Sequence, residues 1–170
     1  MDATVVLTDG FSRIKQEVHA AVDALTPEQL ALRIDPEANS IAWLVWHLAR
    51  VQDDHIATLL GQEQVWTAGG WVDRFGLPFD RGATGFRQSA ADVAAVRADA
   101  ELLQGYYDAV HARTTDYLAT LVSEDFDRVV DTAWDPPVTL AVRLVSILAD
   151  DLQHAGQASY VRGLAMRAGL

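Results

Sequence analysis

The chain has 170 residues, enough for one domain with a sizeable core, and its 13 basic against 24 acidic side chains give a formal net charge of −11. Lys15 is the only lysine, so no nucleic-acid partner is expected, because phosphate contacts need clustered Lys and Arg. There is no cysteine, which excludes disulfides and thiolate metal sites; no apolar run approaches ~20 residues and Met1–Gly10 lacks a signal-peptide pattern, so no membrane partner and a cytoplasmic location are expected.

Thr8-Asp9-Gly10 precedes an amphipathic stretch from Phe11 to Leu25, with Phe11, Ile14, Val18, Ala21, Val22 and Leu25 at helical spacing. Thr26-Pro27-Glu28-Gln29 carries an N-cap, an N1 proline and an acid, which predicts a short helical turn. The second long helix starts at Asn39 or Ser40 and stops at Gly61. Residues 62–88 hold Trp66, Trp71, Phe75, Phe79 and Phe86 among five glycines, with no clear period. So long a segment inside a compact domain reads as a functional loop, and its aromatics argue against disorder. Ser89 with Asp92 three positions on opens a third helix, whose stripe from Val93 to Leu121 predicts an unbroken run to Leu121 or Val122. Arg128-Val129-Val130 has extended character and two prolines end it. The last helix begins at Val138-Thr139 and continues to about Met166. The expected architecture is all-α: one domain over residues 1–170, a four-helix bundle with a long aromatic-rich loop between the second and third long helices.

His47 lies in the second long helix and His154 in the last, four residues after Asp150, so Asp150 and His154 share a face. A His on one helix meeting an Asp/His pair on another is how bundles build metal sites in their cores. Imidazole and carboxylate ligands suit Zn, Ni, Fe or Mn. Asp151 falls on the apolar stripe of Leu140, Leu144, Ile147, Ala155 and Ala158, with His154 about 60° away, so Asp151 competes with Asp150 as a ligand. The purely structural alternatives are an Asp150–His154 hydrogen bond or an Asp151–Arg50 ion pair. Asp54 shares a face with His47. His19 and His111 read as surface or packing residues. Trp66, Trp71 and Phe75 either wall a pocket or pack the loop on the bundle.

The chain resembles the DinB-like proteins, in particular the actinobacterial branch of mycothiol transferases and relatives of mycothiol-dependent maleylpyruvate isomerase. Asn39–Arg50, with Trp43, Trp46 and His47, is similar to the family's second helix with its ligand His. Asp150-Asp151-Leu152-Gln153-His154-Ala155-Gly156-Gln157 is similar to its last-helix motif, which normally has two His four apart. The resemblance implies a divalent metal held by His47, position 150 and His154, with Asp150 in place of the family's middle His. It also implies mycothiol as cosubstrate, transfer to or isomerisation of a small electrophile, and a homodimer. Asp54 or Asp151 then accepts the thiol proton, and the aromatic loop with Trp66 and Trp71 covers the acceptor. The alternative function is a non-catalytic binding or stress-response protein whose His/Asp cluster is structural.

Overall fold

The computed structural model describes residues 3–169. Helix α1 (Ala3–Val22) starts well before Phe11 and runs through Gly10, so the expected boundary there is corrected. Gly10 is a contact glycine rather than a stop. A Cβ on it would lie 2.9 Å from Leu148 Cδ1, so its absence lets α1 approach the last helix. Leu7, Phe11, Ile14, Val18, Ala21 and Val22 are the buried stripe. Helix α2 (Pro27–Leu30) has the expected capping box from Thr26 and Gln29.

Helix α3 (Ile41–Leu60) is capped by Ser40, whose side chain accepts from the Trp43 amide, and ends at left-handed Gly61. Every residue from Ile41 to Arg50 is buried, because the bundle covers one side and the 62–88 segment the other. That segment is not structureless: it contains α4 (Val65–Ala68) and α5 (Trp71–Phe75). The third long element is broken. Helix α6 (Ala90–Ala95) ends as Val96 turns extended (φ −74°, ψ 108°), and α7 (Ala100–Leu118) restarts under the Asp99 cap. After a 3₁₀ turn (Ser123–Asp127), strand β1 (Val129–Asp131) pairs antiparallel with β2 (Val138–Thr139). Helix α8 (Leu140–Ala168) completes the chain, capped by Thr139.

The helices α1, α3, α7 and α8 make an all-α bundle in which α1 and α3 each pack against both α7 and α8. Burial of apolar stripes holds it together, with Phe11, Leu44, Leu103, Tyr106 and Leu144 in the centre. His47 lies beside His154, and His55 beside Arg143, so α3 and α8 run antiparallel. No helix among the described residues is long and apolar enough to cross a membrane.

Candidate metal centre

The α3–α8 interface brings His47, Asp150 and His154 together, with one ligand atom from each within 4.8 Å of the others. They are the one group of three or more His, Asp or Glu side chains among the described residues that converges in this way. The His47 and His154 rings meet edge to face, centroids 4.9 Å apart. His154 Nε2 stands 3.6 Å from Asp150 Oδ1, too far for a hydrogen bond. Asp150 Oδ2 is buried with no hydrogen-bond partner. A buried carboxylate oxygen without a partner costs roughly 1–3 kcal/mol, and more if charged, so the set fits a cation.

Both rings are oriented from behind. His47 Nδ1 lies 2.5 Å from the Thr84 carbonyl. A carbonyl only accepts, so Nδ1 carries the proton and Nε2 is the free nitrogen. His154 Nδ1 lies 2.9 Å from Gln157 Oε1, which leaves its Nε2 free in the same way. Burial pushes the His47 pKa below the usual imidazole value, the Thr84 contact opposing it only in part. Trp43 stacks on His47, centroids 4.5 Å apart and planes 17° off parallel, and is itself pinned by Nε1–H donation to Gln88 at 2.7 Å.

Close approach of the loop depends on Gly85. Its φ of +97° suits glycine, and a Cβ there would lie 2.5 Å from His47 Nδ1. A second buried group clamps the loop to α3. Arg50, fully buried, donates to the Ala83 carbonyl (3.0 Å), Gln64 Oε1 (2.8 Å) and the Tyr106 hydroxyl (3.2 Å). Asp53, also fully buried, accepts from the Val65 and Trp66 amides at 2.8 and 2.7 Å and from Tyr106 at 2.9 Å. Asp53 thereby caps the start of α4. The sequence placed Asp54 on the face of His47, but it is its neighbour Asp53 that holds the loop. The missed signal was Arg50, a charge inside a buried helix.

Asp151 is buried as its stripe position predicts, but it lies outside the converging set. The expected alternative pairing with Arg50 does not form, since Arg50 is committed to the loop. Both Asp151 oxygens lack a hydrogen-bond partner, as does the buried Tyr107 hydroxyl on α7. Burial, reinforced by Asp150, raises the Asp151 carboxyl well above the usual carboxylate range. Asp54 is half-buried, accepts from Gln64 Nε2 at 2.6 Å, and sits about 10 Å along the helix from His47. Trp66 and Trp71 pack on Tyr106, centroids 5.1 and 5.7 Å away, so they anchor the loop rather than face the histidines. His19 pairs with Asp108 at 2.7 Å across α1 and α7, a packing role, and half-buried His111 lies beside Tyr107.

The all-α bundle of α1, α3, α7 and α8 is a DinB-like fold, with His47, Asp150 and His154 converging between its second and last long helices. The chain belongs to the mycothiol-S-transferase family, whose model matches residues 6–166. It is also similar to a solved structure, a conserved protein of Enterococcus faecalis, at 30% identity and a TM-score of 0.91, covering 98% of each chain. No curated protein matches it. Family membership supports a thiol-related transferase role.

Proposed function

We propose that this chain is a metal-dependent transferase that uses a low-molecular-weight thiol, mycothiol, against a small electrophile in the cytoplasm. The observation that carries this reading is the meeting of His47, Asp150 and His154, with an unpartnered Asp150 oxygen among them. These three residues would hold a divalent ion of the Zn, Ni, Fe or Mn type. Bound there, such an ion supplies the positive charge that lowers a thiol pKa into the neutral range.

The chain's own residues supply the rest. Thr84 and Gln157 fix both imidazoles with Nε2 free. The depressed His47 pKa keeps that nitrogen unprotonated at neutral pH. Asp150 contributes the negative charge. Gly85 and Trp43 close over His47 and exclude water from its Nδ1 side. Asp151 lies outside the converging set, and burial raises its carboxyl well above the usual carboxylate range. Asp54, the other carboxylate expected to accept the thiol proton, lies about 10 Å along α3 from His47, beyond direct or one-water transfer, so the proton leaves to solvent.

A purely structural His/Asp network accounts less well for the site. It leaves Asp150 Oδ2 buried without a bond and Asp150 and His154 3.6 Å apart. The test is thiol consumption by tag-free protein given metal, mycothiol and 1-chloro-2,4-dinitrobenzene. A rate above the protein-free background, lost on chelation and in His154→Ala, supports the reading. A metal-loaded protein no faster than background, toward this and other neutral electrophiles, returns the chain to the non-catalytic class.

A further inference from the structure

Beside the histidines, a cleft of about 660 Å³ opens between α8 and the segment that leads into α3. That size falls in the range of roughly 300–1,000 Å³ common for small-molecule sites. Its floor is the outer face of α8, where Leu152 and Tyr160 are 48% and 63% exposed on either side of Gly156. Its wall is Ile34, 51% exposed, held in place by Arg33, which donates to the Pro36 and Ala38 carbonyls and, at 3.0 Å, to the Ala90 carbonyl of α6. Three large apolar side chains thus stay exposed around one concavity, on a chain whose surface is strongly acidic.

Two observations define an occupant. The polar groups of the lining are mostly neutral: the amides of Asn39, Gln153 and Gln157, with Glu37 as the only charged residue. No Lys or Arg lines the cleft, and the nearby Arg33 is committed to three backbone carbonyls behind the wall, so a carboxylate or phosphate meets Glu37 without a lining counter-charge. Second, Gln157 belongs to both places. It lines the cleft and its Oε1 holds His154 Nδ1. Something seated over Gly156 therefore lies one side chain from a proposed metal ligand.

We infer that this cleft binds the acceptor, an uncharged molecule with an aromatic or otherwise apolar body and an amide-like or carbonyl edge, and rejects anionic analogues. The inference rests on the transfer reading for the word acceptor, but the binding is tested without turnover. The probes are phenylacetamide and phenylacetate, matched in size and different in charge. Each is titrated into ¹⁵N-labelled protein, following the Gly156 backbone amide and the Gln153 and Gln157 side-chain amides. The expected result is saturable shifts at these groups with phenylacetamide and at least tenfold weaker binding of phenylacetate.

Gly156→Leu fills the cleft without disturbing the core, because a Cβ at Gly156 meets nothing within 4 Å and Leu is the better helix former. It should fold, bind metal as the parent does, and bind phenylacetamide at least tenfold more weakly. Equal binding of the two probes, shifts elsewhere only, or undiminished binding by Gly156→Leu overturns the inference. So does a dimer in sedimentation that Gly156→Leu dissociates, since the cleft is then covered by a second copy. Metal titration of the same samples reads the transfer hypothesis separately, since metal binding without probe binding condemns only the cleft.

Discussion

The Thr84 carbonyl receives the Nδ1 proton of His47 at 2.5 Å, so a residue of an irregular segment sets the tautomer of a histidine in the most buried helix. The contact exists because Gly85, next in sequence, has no Cβ to collide with the imidazole. The loop between α3 and α7 is thus part of the site through its backbone.

Gly85→Ala should move the loop off His47. Its Cβ would sit 2.5 Å from Nδ1, and the positive φ adds strain. Loss of an outer partner of a ligating histidine typically weakens metal binding 10–100-fold, and that drop is expected in titration, with circular dichroism unchanged. Parental affinity would show that Thr84 does not orient His47.

Asp150 can be examined by two replacements. Asp150→His should keep or strengthen zinc binding, since imidazole suits zinc and the i, i+4 relation to His154 is preserved. Asp150→Asn should weaken it by removing the charge. If neither change alters the titration while Asp151→Asn abolishes it, the ligand is Asp151.

Asp53→Ala should cost about 3–5 kcal/mol in denaturant unfolding. It leaves Arg50 as an uncompensated buried cation and strips two α4 amides and the Tyr106 hydroxyl of their acceptor. The 62–88 segment should become the first region cut by protease. A loss under 1 kcal/mol would mean that Asp53 does not clamp the loop.

Asp151 should make stability pH-dependent. Its folded pKa is raised by burial, whereas the unfolded chain releases this proton near pH ~4. Above that pH the folded state binds the extra proton, so stability falls as pH rises until the raised pKa is passed; below pH ~4 the effect vanishes. In chelator-treated protein, Asp151→Asn should therefore gain on the parent as pH rises above ~4, until the raised pKa is passed. Parallel pH profiles would show that Asp151 is not held protonated.

Much of this arrangement was legible in the sequence. The stripes of α1, α3 and α8 announced the bundle, and the shared face of Asp150 and His154, opposite the buried stripe that carries His47, announced the converging set. The break between α6 and α7 was hidden because Val93, Val96 and Leu103 keep helical spacing across it and are all buried. Helical phase set Asp54 on the face of His47, whereas Asp53, 100° of helix rotation away, is the buried clamp and carries no motif that marks it. Thr84 and Gly85 gave no signal, since tertiary approach to His47 rather than any local period defines their role.

The most direct test of the metal centre is elemental analysis of tag-free protein beside His154→Ala, with circular dichroism of both. The account predicts about one divalent ion per chain in the parent, loss of that ion in the variant, and equal helix content, because apolar stripes and not the ligands carry the bundle. A parent that binds no metal even after titration, or a variant that retains full occupancy, contradicts it.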